Sequence, residues 1–305
     1  MNLSLSERLA RRILLLSQHI PAFSARGGYS GLLPADQGNN QAKSRREFED
    51  SANFLENLKE FKFIDIVAGK RILDFGSGYG GRSIWMAQYA REVEGIEIRK
   101  ELVEVSANYA ADLKKTNARF RTGTESGVDF PDGWFDVAVS FDVLEHVQHP
   151  DIVLREMYRV LRPAGAAIII FTPYYGMFSH HLNYLSLFPA LHWAFAPKTL
   201  VHATNSLLED PRFASVGVGK QPEPHMSWNG RATVLPTLNG LTKSEYADLL
   251  RQIGFKVEYM YSTPILAKFQ VLGKAGAIFN DLLMRVPGLD EGFAHNLVSI
   301  LRKPG

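Results

Sequence analysis

Apolar side chains recur along this chain with two different periods, and the switches between them outline its elements. Residues 3–16 predict a short helix. From Arg46 to about Asp65, Phe48, Phe54, Leu55, Leu58 and Phe61 recur at helical spacing. At Arg71 the period changes. Ile72-Leu73-Asp74-Phe75 predicts a short buried strand that runs straight into a glycine-rich turn, residues 76–81, and a helix follows through Ile84, Trp85, Ala87 and Ala90. Further strands are expected at 93–97, 119–121, 135–140 and 166–171, with helices at 100–113 and 151–161 between them. The run 166–171 is apolar throughout, as in the middle of a parallel sheet.

After Thr172-Pro173 the rhythm breaks, and residues 176–240 read as an insertion. Order returns with Thr242 and Glu245, a T-x-x-E capping box at a helix start. That helix should end at Gly254. A strand is expected at 255–259, a helix at 265–284 and a last strand at 296–301. Strands alternating with helices at this spacing imply right-handed crossovers. The expected fold is α/β: a doubly wound, Rossmann-like, mostly parallel seven-stranded sheet with helices on both faces. The expected organisation is an N-terminal helix and mobile arm (1–45), a core (46–175 and 241–305) and a lid (176–240).

Composition narrows the function classes. The 305 residues carry a net charge of +2 with no long basic run, which gives nucleic-acid binding no electrostatic support. There is no cysteine, so disulfides and thiolate chemistry are excluded. Arg8, Arg11 and Arg12 precede only four apolar residues, too short a run for a secretory signal, and no stretch is long enough to span a bilayer. The expectation is a cytoplasmic protein. Residues 3–16 are read as a helix packed on the domain, with contact to a membrane surface as the alternative.

The chemistry concentrates in the turn after the first strand. Gly76, Gly78 and Gly81 satisfy the G-x-G-x-x-G pattern of a dinucleotide site, whereas Asp74, Gly76, Gly78 and Gly80 satisfy D-x-G-x-G-x-G. A carboxylate at Asp74 would repel a pyrophosphate and attract the ammonium of a methionine moiety. Glu97, at the end of the second strand, is placed to accept two ribose hydroxyls from either cofactor.

Further stretches distinguish the two. They are 72–80, 93–97, Phe130-Pro131-Asp132-Gly133-Trp134-Phe135-Asp136, Asp142-Val143-Leu144-Glu145-His146-Val147 and Arg159-Val160-Leu161-Arg162-Pro163-Ala164-Gly165. In order and spacing they resemble the class I S-adenosylmethionine-dependent methyltransferases, in particular the group that includes the ubiquinone/menaquinone C-methyltransferases. The resemblance runs through residues 71–173 and more loosely through 241–303. It implies S-adenosylmethionine as cofactor, with Asp74, Gly76, Ser77, Gly78 and Gly80 around the methionine end, Glu97 on the ribose and Ile98 against the adenine. Phe141 and Asp142 would border the methionine and the acceptor. The family commonly has Gly-Asp-Ala after the third strand; here Gly123-Thr124-Glu125 stands instead, so Thr124 or Glu125 would replace the aspartate as the adenine partner.

Methyl transfer needs mainly in-line positioning, with a general base if the acceptor is a hydroxyl. Five of the nine histidines lie in 176–240. His180 and His181 follow the fifth strand, and His146 follows the fourth, so these three are the candidate bases. No H-x-x-x-H pair or acidic partner set accompanies them, and no metal is expected. The aromatic run Leu182 to Leu200 reads as a lid or as the wall of an apolar site. The expected function is methyl transfer to a small-molecule acceptor, with oxygen slightly favoured. The alternatives are C-methylation of a quinone-like or lipid-linked acceptor, or a non-catalytic cofactor-binding member. Sequence leaves the oligomeric state open.

Overall fold

A computed structural model of the chain describes residues 3–20, 39–56, 61–124, 127–216, 219–224, 226–235, 237–264, 278, 282–283, 285–286 and 288–305. The 21–38 part of the expected arm, Glu125 and most of the expected helix at 265–284 lie outside the described residues.

The elements in chain order are α1 (Leu5–Ser17), α2 (Asn40–Glu56), α3 (Phe63–Val67), β1 (Arg71–Phe75), α4 (Gly81–Met86) and β2 (Glu92–Glu97). They continue with α5 (Lys100–Asp112), β3 (Ala118–Thr122), β4 (Phe135–Phe141), α6 (Pro150–Val160) and β5 (Leu161–Phe171). The last are α7 (Leu191–Ala194), α8 (Pro197–Leu208), α9 (Lys243–Ile253), β6 (Lys256–Pro264), α10 (Leu289–Gly292) and β7 (Ala294–Arg302).

Among the described residues seven strands form one sheet in the order β3-β2-β1-β4-β5-β7-β6. The first five run parallel, and β7 is antiparallel to both β5 and β6. The order reverses between β1 and β4, the switch point outside whose carboxyl ends such sheets bind their ligands. The central strands β1, β4 and β5 are apolar on both sides, which the period of two divides between two layers. Leu73, Phe75, Ala138, Ile169 and Phe171 face α6 and α9. Ile72, Val93, Val137, Val139, Ile168 and Ile170 pack with Leu55, Phe63 and Trp85 on the other side. The capping box at α9 is present, Thr242 accepting from the Glu245 amide and Glu245 from the Thr242 amide, and Gly254 ends the helix at φ +100°.

Several boundaries differ from expectation: β5 begins at Leu161, β6 runs on to Pro264 and α4 ends at Met86. α2 starts at Asn40 rather than Arg46, because Asn39 Oδ1 accepts the Ala42 amide at 3.0 Å and starts a helix whose first turn is polar. The expected single helix 46–65 is two elements, α2 and α3. α1 packs against α8: Ala10 and Leu14 join Leu182, Leu185, Leu200, Val201 and Leu207 in a separate apolar cluster. Its other face leaves Leu5, Leu9 and Leu16 exposed. Among the described residues no helix is long and apolar enough to cross a membrane.

Candidate functional site

The crevice begins where β1 ends. Three positive-φ glycines in a row, Gly76 (+80°), Gly78 (+54°) and Gly80 (+75°), turn the chain from β1 into α4. At Gly76 a β-carbon would lie 2.4 Å from a Val143 methyl, so glycine is required by the neighbour as well as by the backbone. At Gly78 the nearest atom to a β-carbon would be Glu47 Oε1 at 3.9 Å; here the missing side chain leaves room rather than relieving a clash. The Gly76 and Ser77 amides both donate to the Ile96 carbonyl, at 2.8 and 2.9 Å, tying the turn to β2.

Two buried acids flank this turn. The register sets Phe75 opposite Ile96, so Glu97 comes level with the glycine turn one residue beyond Asp74's strand end. Glu97 Oε2 accepts the Gly78 amide at 3.1 Å and Oε1 accepts the Arg99 amide at 3.0 Å. Oε1 also accepts Arg99 Nε–H at 3.1 Å, whereas Oε2 keeps a lone pair for another donor. Asp74 Oδ2 accepts from Ser83 Oγ at 2.5 Å and so also pins α4. Burial raises the Asp74 carboxyl to about 6; the Ser83 hydroxyl and Arg82 oppose the rise, and the nearby Glu97 adds to it. Ser77 Oγ is buried without a hydrogen-bond partner among the described residues.

α2 closes the turn from above. Glu47 Oε2 accepts the Gly81 amide at 3.2 Å, and Ser44 Oγ donates to the Tyr79 carbonyl at 2.6 Å. Burial raises Glu47 to about 7, with Arg82 pulling it down and Asp74 and Asp142 pushing it up. Sequence reasoning missed Glu47. Its signal was a carboxylate adjoining Phe48 on the packed face of a helix.

A second cluster lies beyond β4 and β5. The strand β4 leaves the sheet through Asp142, which sits at φ +57° and faces Arg82 at 3.7 Å. Glu145 is buried; its Oε1 accepts the Thr172 amide at 3.3 Å and its Oε2 has no partner among the described residues. Burial, reinforced by Asp142, holds this carboxyl well above the usual range. His146 stacks edge-on against His181, ring centres 5.1 Å apart. Burial lowers His146, and burial with the neighbouring histidines lowers His181 to about 3, so both rings are neutral at neutral pH. Glu145, His146 and His181 each bring one donor atom to within 4.8 Å of the others. The acidic partner that sequence spacing did not reveal for these histidines is Glu145. Nearby, Tyr174, Tyr175, His192, Trp193 and Arg231 line a cleft of about 510 Å³.

Comparison with known proteins agrees with this geometry. Residues 73–169, from β1 to β5, match the methyltransferase domain family. The uncharacterized methyltransferase YcgJ of Bacillus subtilis is 32% identical over 123 residues, 39% of this chain and 49% of that protein. Phosphoethanolamine N-methyltransferase 3 of Arabidopsis thaliana is 31% identical over 121 residues, 39% of this chain and 24% of that protein. Residues 73–169 carry a methyltransferase domain of the class I S-adenosylmethionine-dependent kind. The chain spans about half the length or less of these curated relatives. Among solved structures, a chain of the complex between the Haloferax volcanii Trm112 methyltransferase activator and a methyltransferase superposes with a TM-score of 0.51 at 15% identity. That alignment covers 89% of this chain and 96% of the other. The cyclase SpnF superposes at 0.50 with 16% identity, covering 99% and 98%. These two likenesses concern the fold alone.

S-adenosylmethionine is the cofactor of a methyltransferase core of this kind, and the residues present fit it. Glu97 has acceptor capacity for ribose hydroxyls, Gly78 leaves backbone room, and the orphaned Ser77 hydroxyl lacks a partner that a ligand would supply. Ile98 is exposed just past β2.

Other expected residues are placed differently. The Phe141 ring points into the core against Phe54 and Phe63, at 5.9 and 6.3 Å, so only its backbone borders the site. Thr124 Oγ1 donates to the Gly127 carbonyl at 3.3 Å, and Glu125 lies outside the described residues. His180 does not fit a general base. Its Nδ1 accepts the Leu182 amide at 3.0 Å and its Nε2 faces the Phe188 carbonyl at 3.1 Å, which together fix the ring as a neutral brace of the loop. His146 and His181, from the segments after β4 and β5, lie beside one another.

Proposed function

We propose that this protein transfers the methyl group of S-adenosylmethionine to a small-molecule acceptor, with a hydroxyl as the favoured accepting group. The observation that carries the reading is the pair of buried carboxylates, Asp74 and Glu97, on either side of a glycine turn with room at Gly78. Asp74 supplies negative potential for the methionine ammonium, while Glu97 takes the ribose. The sulfonium already carries a good leaving group. The protein's task is therefore to line up the acceptor and exclude water.

Oxygen is favoured because a hydroxyl must lose its proton as it attacks, and the rings of His146 and His181 stand neutral beside the crevice with lone pairs to offer. Several relatives are N-methyltransferases, among them phosphoethanolamine N-methyltransferase 3 and norajmaline N-methyltransferase, so an amine acceptor is the competing outcome. In this reading residues 46–175 and 241–305 are the catalytic core. Residues 176–240, braced by α1 within 1–45, form the lid over the acceptor, and the cleft beside Tyr174 and Trp193 is its entrance.

The test has two parts. Calorimetry with S-adenosylhomocysteine should show one site that Glu97→Ala abolishes. Tritiated methyl groups from labelled cofactor should pass to small molecules of a cell extract. Absence of binding in both proteins would remove the methyltransferase reading. Binding without transfer would leave a cofactor-binding member that transfers nothing, and a labelled amine would displace the hydroxyl.

A further inference from the structure

The cluster beyond β4 holds more ligand atoms than a proton relay needs. His146 Nδ1 lies 3.0 Å from the Thr237 carbonyl, and a ring nitrogen can meet a carbonyl only by donating a proton to it. The tautomer is thereby set, and Nε2 carries the lone pair. A backbone carbonyl gripping one nitrogen while the other stays bare is the usual outer support of a metal-binding histidine. Neither ring nitrogen of His181 has a hydrogen-bond partner among the described residues, and the residue is held at φ +53°. Glu145 contributes the independent sign: a carboxylate 5% exposed whose Oε2 has no partner among the described residues. The segment carrying Glu145 and His146 is fixed in place. Asn239 Nδ2 donates to the Leu144 and Val147 carbonyls at 2.6 and 2.9 Å, and the Asn239 amide to the Glu145 carbonyl at 2.9 Å.

We propose that Glu145, His146 and His181 form a binding site for a first-row divalent cation, with Glu145 Oε2, His146 Nε2 and one ring nitrogen of His181 as protein ligands. Two imidazoles and one carboxylate suit Zn²⁺, whereas Mg²⁺ and Ca²⁺ demand oxygen. Ligand atoms at about 2.1 Å from a tetrahedral centre stand about 3.4 Å apart. Each of the three residues brings one donor atom to within 4.8 Å of the others, so small side-chain rotations that present Glu145 Oε2 and His146 Nε2 complete the site. Asp142, facing both Glu145 and His146, adds negative potential, and Arg99 opposes it at His146. Three protein ligands leave a position open toward the crevice. That this open position would take an acceptor hydroxyl, with the cation and not a histidine lone pair easing loss of its proton, rests on the proposed methyltransferase function; the cation site itself does not.

The experiment is titration of the chelator-treated full chain with Zn²⁺ alone, by calorimetry, with no cofactor present. One equivalent should bind, and Co²⁺ in its place should give a visible ligand-field spectrum. His181→Ala and Glu145→Gln should each weaken binding by at least about tenfold and abolish that spectrum. His202→Asn serves as the control. His202 meets Glu7 and Glu223 at 2.5 and 2.7 Å in a separate histidine–carboxylate group, and its variant should bind Zn²⁺ like the parent. His181→Ala also covers the case in which the buried Glu145→Gln fails to fold. Sub-stoichiometric binding, equal binding in His181→Ala, or loss of binding in His202→Asn would each overturn the proposal. Binding of S-adenosylhomocysteine, measured separately without metal, reports on the methyltransferase reading alone.

Discussion

Replacing Asp74 by Asn should make the cofactor-free protein more stable, by an amount that grows with pH. Asp74 is 2% exposed, and burial lifts its carboxyl from 3.8 to about 6 in the folded chain. A carboxyl whose folded value is raised contributes stability that is fully present below the unfolded value and lost as pH rises through the folded one. Each tenfold change in proton affinity is worth about 1.4 kcal/mol. At pH 5 roughly 1.6 kcal/mol of the contribution has therefore gone, and by pH 8 roughly 3 kcal/mol. Asn cannot ionise, and its side-chain oxygen can still accept from Ser83 Oγ, now at 2.5 Å from Asp74. The variant's advantage should therefore rise by about 1.4 kcal/mol between pH 5 and pH 8. Paired urea unfolding curves at the two pH values measure it. The comparison with the parent cancels Glu145 and Glu291, whose carboxyls burial also raises, while Glu47, which the Asp74 charge pushes up, relaxes downward in the variant and adds to the difference in the same direction. The same variant should lose affinity for S-adenosylhomocysteine, since the ammonium loses its counter-charge. A variant equally destabilised at both pH values would refute the reasoning.

Three further outcomes are expected. Glu97→Gln removes a charged acceptor from two ribose hydroxyls at about 1.5 kcal/mol or more each, so calorimetry should show affinity for S-adenosylhomocysteine reduced about a hundredfold. Gly76→Ala places a β-carbon 2.4 Å from Val143 at a φ of +80°, and urea unfolding should show a loss of about 2 kcal/mol or more, partly restored by adding Val143→Ala. His180→Leu strips two backbone partners of their bonds, at 3.0 and 3.1 Å in the parent, and should lower stability by about 2 kcal/mol; binding of S-adenosylhomocysteine should stay unchanged.

How much of this was legible beforehand depends on whether the relevant interactions are local in the chain. The strands β1, β2, β4 and β5 announce themselves because each is buried on both faces and bounded by turn residues. The α9 capping box is complete within four residues. The glycine turn and its two acids are legible for the same reason: strand, turn and acid follow one another in sequence, and a parallel register leaves little choice about where Glu97 lands beside Asp74. α2 shows the limit of this reading. Its polar first turn concealed the Asn39 cap, and the reach of Glu47 to the Gly81 amide depends on how the helix lies across the sheet.

The histidines divide along the same line. By sequence His180 and His181 are equivalent neighbours, yet one ring is saturated by the Leu182 amide and the Phe188 carbonyl while the other stacks on His146. Phe141 likewise had to follow the strand's alternation into the core once the sheet was packed on both faces. Composition and period thus determined the sheet, its cofactor turn and the two acids that flank it, because those follow from backbone sterics and contacts along the chain. The meeting of Glu145 with His181, and the choice of which histidine is bare, were decided only by tertiary packing. They depend on contacts between segments far apart in sequence, where burial removes water and leaves each polar atom either paired or orphaned.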